Sequence, residues 1–156
     1  MELEVGQIIR VDFKEGKAPE ETKVLGRVKY YTYIEYLIEI GGKRFWLEAG
    51  ADWRLWKKAK LPFKAPNLRK FLGEIKDIKE LLGERWETLG DLYVGEIGFA
   101  RALRTEGETE GIKAGDKLMY IEGMLMIKTE EGFNLGVIEL YDDETEYSEG
   151  KEVVVT

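Results

Sequence analysis

Glu35 and Glu48 are the residues whose spacing could most readily support chemistry. They lie either side of Gly41-Gly42 in "YIEYLIEIGGKRFWLEAGADW", Tyr33 to Trp53. A two-residue hairpin loop at the glycines pairs Ile40 with Lys43 and, counted outward, Glu35 with Glu48. Carboxylates opposed in this way have Cβ atoms roughly 4.5–5.5 Å apart and repel each other. Such a pair can raise one carboxyl pKa for general acid/base work or share a bound cation. A separation of about 5–5.5 Å also suits a retaining glycosidase. Glu35 and Glu48 are therefore the catalytic candidates. The structural alternative is that both splay into water, or that Arg27, Lys29 or Arg44 neutralises them. Of these, Arg27 or Arg44 is expected to approach the pair, with both glutamates on one face of the sheet. A bulge within "LEAGA" would break the register.

Trp46 and Asp52 flank the same segment, so Glu35, Trp46, Glu48 and Asp52 form the candidate ligand-binding set. Trp46, Trp53, Trp56 and Trp86, with Tyr30, Tyr31, Tyr33 and Tyr36, could make a stacking surface, although such residues more often fill cores and cross-strand pairs. The chain has no histidine and no cysteine, and Ser148 is its only serine. That composition excludes Ser–His and Cys–His nucleophiles and removes the usual zinc and copper ligands. No metal and no cofactor is expected. The acidic run "DDETEYSE" (Asp142–Glu149) lacks the spacing of a calcium loop and reads as a solvated hairpin. Gly95 and Gly98 precede no helix, so they make no phosphate loop.

The elements that would position these residues are mostly strands. Alternation marks Gln7–Phe13, Lys23–Tyr31, Ile34–Ile40 and Lys43–Glu48, with a short aromatic strand at Asp52–Lys58. "EGKAPEE" (Glu15–Glu21) reads as a polar loop. After Pro66 the period changes. Asn67 is a plausible N-cap, Leu68, Phe71, Leu72, Ile75, Ile78 and Leu82 recur at helical spacing, and Gly83 supplies a stop, predicting a helix over Leu68–Leu82. Strand signals return at Arg85, with a hairpin around Leu89-Gly90-Asp91 and a long second arm. Lys117–Glu122 and Met124–Thr129 flank Gly123, then come Phe133–Tyr141, Asp142–Tyr147 and Glu152–Val155.

Two blocks repeat. "LEAGADWRLW" carries Glu48, Asp52 and Trp56 at the offsets at which "IELYDDETEY" carries Glu139, Asp143 and Tyr147. The expectation is a mainly β, antiparallel, pseudo-duplicated barrel or sandwich with one helix between the halves. It would be a single domain over 1–156, with halves at about 6–58 and 84–150 joined by a connector at 67–82. The chain's 156 residues, 44% of them hydrophobic and 12% aromatic, suffice for a globular core.

A net charge of −7 and a pI near 4.9 oppose binding to phosphate backbones, so no nucleic-acid partner is expected. The basic run "RLWKKAKLPFK" (Arg54–Lys64) is taken as a strand end and connector with solvated lysines. No apolar run is long enough for an integral membrane segment, and residues 1–7 have no basic-then-apolar pattern, so neither a membrane span nor a targeting segment is expected. With the missing cysteines, this fits the cytoplasm. Few amides and 35% charged residues resemble a heat-adapted protein.

The blocks "VLGRVKY" (Val24–Tyr30), "EY" (Glu35-Tyr36), "FWLEAGADWRLW" (Phe45–Trp56), "LYVGEIGFARALRTEGE" (Leu92–Glu108) and "IELYDDETEYSEGKEV" (Ile138–Val153) resemble, in that order, the prokaryotic family called domain of unknown function 4178. Ile34 stands where the family pattern has an acid. The resemblance implies no established activity; some relatives lie near polyamine-synthesis and membrane-stress genes. The leading expectation is a non-catalytic binding or adaptor domain with a protein partner, able to form a homodimer. Its alternatives are a carboxylate-dependent enzyme acting on a sugar-like or cationic small molecule and an accessory protein in membrane-stress or polyamine physiology.

Overall fold

The computed structural model describes residues 2–13, 16–60, 85–86, 92–126, 129, 131–142 and 144–156, with the backbone alone at 85–86. Among the described residues every regular element is a strand. They are β1 (Ile8–Asp12), β2 (Glu20–Lys23), β3 (Gly26–Tyr30), β4 (Ile34–Ile40), β5 (Lys43–Ala49), β6 (Trp53–Ala59), β7 (Arg85–Trp86), β8 (Leu92–Gly107), β9 (Lys117–Leu125), β10 (Leu135–Leu140) and β11 (Thr145–Val155). The ladders are antiparallel. The protein is thus mainly β and antiparallel, and the helix expected at Leu68–Leu82 lies outside the described residues. So do Leu89-Gly90-Asp91, around which a hairpin is expected; its two arms pair as β7 and β8.

The chain divides into two compact units, each discontinuous in sequence. One comprises Met1–Lys57, Ala100–Lys117 and Lys151–Thr156; the other comprises Lys58–Phe99 and Leu118–Gly150. The units therefore interleave along the chain.

In the first unit β3, β4, β5 and β6 form a meander, with β8 beside β3 and β1 between β2 and β11. Gly41 and Gly42 have φ of 60° and 78°, the positive pair that a type I′ turn requires. That turn matches the right-handed strand twist and fixes the β4–β5 register at Ile40↔Lys43 through Ile34↔Ala49. Side chains then alternate. Tyr36 and Ile38 share a face with Leu47 and Phe45, and these four are buried. The N-terminal segment and the end of β1 cover this face: Leu3 is buried and its N–H donates to the Tyr36 hydroxyl (2.9 Å), while the Phe13 ring lies 6.2 Å from Phe45. Each large apolar side chain buried there contributes about 1.5–3 kcal/mol of transfer free energy. Between β3 and β8, Gly26 opposes Gly107, and a Cβ on Gly26 would fall 1.5 Å from the Glu108 carbonyl oxygen. Only glycine permits that approach.

β2 corrects the sequence expectation, since Glu20 and Glu21 were assigned to a loop. They are strand because Ile9 pairs with Thr22 and Arg10 with Glu21, and the buried Thr22 hydroxyl donates to the Glu39 carbonyl (2.8 Å). Two strands expected as separate pieces also run on: β9 passes through Gly123, and β11 through Gly150.

The second unit is built on Leu92, Val94, Ile121, Ile138 and Tyr147, packed with Ile97, Met119, Leu125 and Leu140. Burial of Tyr147 and Ser148 corrects the solvated-hairpin reading of Asp142–Glu149.

The repeated blocks both form hairpins, yet their faces are not equivalent. Glu48 pairs with Arg54, six residues on; Glu139 pairs with Glu146, seven on. Trp56 pairs with Trp46 and so shares the face of Glu48, whereas Tyr147 pairs with Ile138 and lies on the face opposite Glu139. One extra residue in the second hairpin reverses the inward side chains, as a period of two requires. The superposition of equivalent inward faces that a duplication predicts is absent from these hairpins.

Candidate functional site

Within the first unit, the register places Glu35 directly opposite Glu48, as the turn count requires. The same row continues outward to Val28 on β3 and to Arg54 on β6. It reads Val28–Glu35–Glu48–Arg54, with the three charged residues partly buried and Val28 fully so. The next row on this face is Leu37–Trp46–Trp56. Leu37 and Trp56 are buried, while Trp46 is partly exposed. Trp56 Nε1 donates to Glu48 Oε1 at 3.0 Å, a diagonal contact between neighbouring strands.

Arg54 is the residue the sequence reading missed. The cation opposite Glu48 comes from the following strand, not from Arg27 or Arg44. Arg27 pairs with Tyr36 and lies on the other sheet face, where it donates to the Leu3 carbonyl and to Glu2. Arg44 reaches Glu108 (3.1 Å), Glu110 (3.2 Å) and Glu39 (3.8 Å). Hydrogen bonding to Glu108, then to Glu110, pushes the Arg44 guanidinium pKa upward. The signal for Arg54 was available: Ala49 pairs with Trp53 around residues 50–52, so counting through the second hairpin puts Arg54 opposite Glu48. Its place in the basic run hid it among solvated lysines.

Asp52 does not join the row. It sits exposed in the turn, where its carbonyl accepts the Gly50 N–H (3.3 Å). The aromatic residues also divide. Trp53 lies 6.2 Å from Tyr36 on the core face, Tyr30 stacks on Tyr33 at 4.7 Å, and Tyr31 is exposed. Of the sequence candidates, Glu35, Trp46 and Glu48 are brought together.

The second unit holds another opposed pair, Glu139 with Glu146, flanked by Tyr120 and by Lys58, whose Nζ is 3.5 Å from Glu146. The Tyr120 hydroxyl donates to Glu96 at 3.0 Å. Among the described residues no group of three or more His, Cys, Asp or Glu is arranged to hold a metal, and no helix is long and apolar enough to cross a membrane.

In comparisons with known proteins, no family model, no curated protein and no solved structure matches the chain.

Proposed function

We propose that the chain is a non-catalytic binding domain that meets its partner through the Trp46 face of the first unit. The observation that carries this reading is the row Glu35–Glu48–Arg54 beside Trp46. Glu48 accepts the Trp56 indole N–H and lies opposite Arg54 in the ladder. That bond holds the Trp56 ring beside Trp46 and gives the carboxylate a structural role. The neighbouring Trp46 is partly exposed between Leu37 and Trp56 in its row, and tryptophan is among the residue types that most often anchor interfaces. The flanking charges give that indole a polar rim, where a single charge contributes little to affinity and the central tryptophan most. The resemblance to domain of unknown function 4178 carries no activity and accords with such a role.

The direct opposition of Glu35 and Glu48 is the one feature that favours the alternative, a carboxylate-dependent enzyme. Quantitative capture from the source organism's lysate separates the two, using the intact chain, Trp46→Ala and Glu48→Gln as baits. A binding domain retains its partner in Glu48→Gln and loses it in Trp46→Ala.

A further inference from the structure

On the other face of the first unit, Arg27 is 91% buried yet incompletely satisfied. Its Nη1 donates to the Leu3 carbonyl and its Nη2 to Glu2 Oε2, both at 3.2 Å. Its Nε is buried and has no acceptor among the described residues. Glu2 therefore engages the guanidinium end-on through one nitrogen. The side-on geometry in which a carboxylate takes two parallel N–H bonds would use Nε as well. The Glu2 side chain is 55% exposed, and its other oxygen reaches Lys29 Nζ only at 3.8 Å. Leu3 is held much more completely. Its N–H goes to the Tyr36 hydroxyl, its carbonyl to Arg27, and its side chain is fully buried. Arg27, Lys29 and Tyr36 thus address every feature of a peptide residue and the acid before it: backbone donor, backbone acceptor, apolar side chain and negative charge.

We infer that this slot is a recognition site for an extended peptide segment carrying an acidic residue followed by a large apolar one, occupied in cis by Glu2-Leu3. The orphaned Nε marks the cis occupant as an imperfect fit. A segment from another protein whose carboxylate lies side-on to Nε and Nη2 satisfies the guanidinium fully. The strap is bounded by a fixed turn. Gly6 has φ 92° and its N–H is bonded to the Val24 carbonyl (2.8 Å), while the Glu4 N–H donates to Gln7 Oε1 (2.9 Å) and the Gln7 N–H to the Glu4 carbonyl (3.1 Å), so displacement of Glu2-Leu3 alone breaks neither this turn nor the β1 pairing. Tethering gives the cis segment a high effective concentration, which a competing peptide must exceed. This site stands apart from the Trp46 face, and neither reading depends on the other.

The test is a polarisation titration of a labelled peptide, Met-Glu-Leu-Glu-Val-Gly-Gln, into full-length protein. Glu2→Gln weakens the strap alone; Glu2→Gln with Leu3→Ser empties the slot. The double variant should bind about tenfold tighter than the intact chain, a difference of ~1.4 kcal/mol, with the single variant between them. Adding Arg27→Lys to the double variant should lose about tenfold, because lysine keeps the charge and lacks the fork. A peptide with Gln in place of its first Glu should lose as much. Absence of saturable binding to both variants, or equal binding of the Glu and Gln peptides, overturns the assignment. If the double variant does not melt cooperatively, Glu2→Gln decides alone: no gain over the intact chain overturns it.

Discussion

Arg54 stands directly opposite Glu48 across the β5–β6 ladder while Glu35 stands opposite it across β4–β5, and opposite charges so paired stabilise a sheet where like charges weaken it. Replacing Arg54 with Met should therefore cost about 1–2 kcal/mol in urea unfolding. Glu48→Gln made in the Arg54→Met background should recover part of that loss. The double-mutant cycle should give a coupling of about 1 kcal/mol. Additive effects would mean that Arg54 acts elsewhere.

Glycine has two distinct roles that stability can separate. Gly26→Ala puts a Cβ into the Glu108 carbonyl and must part β3 from β8, so a loss of about 3 kcal/mol or more is expected. Gly95→Ala meets nothing within 4 Å and has no positive φ, so it should stay within about 0.5 kcal/mol of the parent. Chemical denaturation of both variants measures the contrast.

Stability should fall at high pH. Burial, then the charge of Glu149, raises the Tyr147 phenol above its ordinary value, and burial raises Tyr36 as well. In the unfolded chain both ionise near pH 10, while in the folded chain they remain neutral. Their contribution is therefore complete below about pH 10 and declines as pH rises toward the folded values, by at most about 1.4 kcal/mol per unit per tyrosine. Urea midpoints from pH 8 to pH 11.5 should show this slope, and Tyr147→Phe should make it shallower. A slope unchanged by Tyr147→Phe would remove that residue from the account.

Much of this was written locally in the chain. The Gly-Gly turn is a two-residue device, so the pairing of Glu35 with Glu48 followed from counting alone. Arg54 depended on a second, less distinctive turn at residues 50–52, and its basic neighbours suggested solvent. β2 was illegible because "EETK" has no apolar alternation; it is strand only through partners on β1 and a contact to β4. Arg27 gave no sign of burial either, since its cover is the N-terminal segment, more than twenty residues away. The repeated Glu, Asp and aromatic offsets do not by themselves fix side-chain direction. Side-chain direction depends on turn length, and the second hairpin is one residue longer.

The composition leads to a thermal expectation. Charged residues at 35% with few amides predict a melting temperature above the roughly 45–65 °C band common to mesophile domains. Calorimetry provides the check, and a transition inside that band would withdraw the inference.

The most direct test of the central claim is the quantitative capture experiment with Trp46→Ala and Glu48→Gln. Both variants should keep the β circular dichroism spectrum of the parent. The account predicts a partner recovered equally by the parent and Glu48→Gln, and depleted about tenfold or more by Trp46→Ala, since interface tryptophans commonly carry 2 kcal/mol or more. Equal recovery by all three baits would contradict it, as would a partner lost with Glu48→Gln and kept with Trp46→Ala.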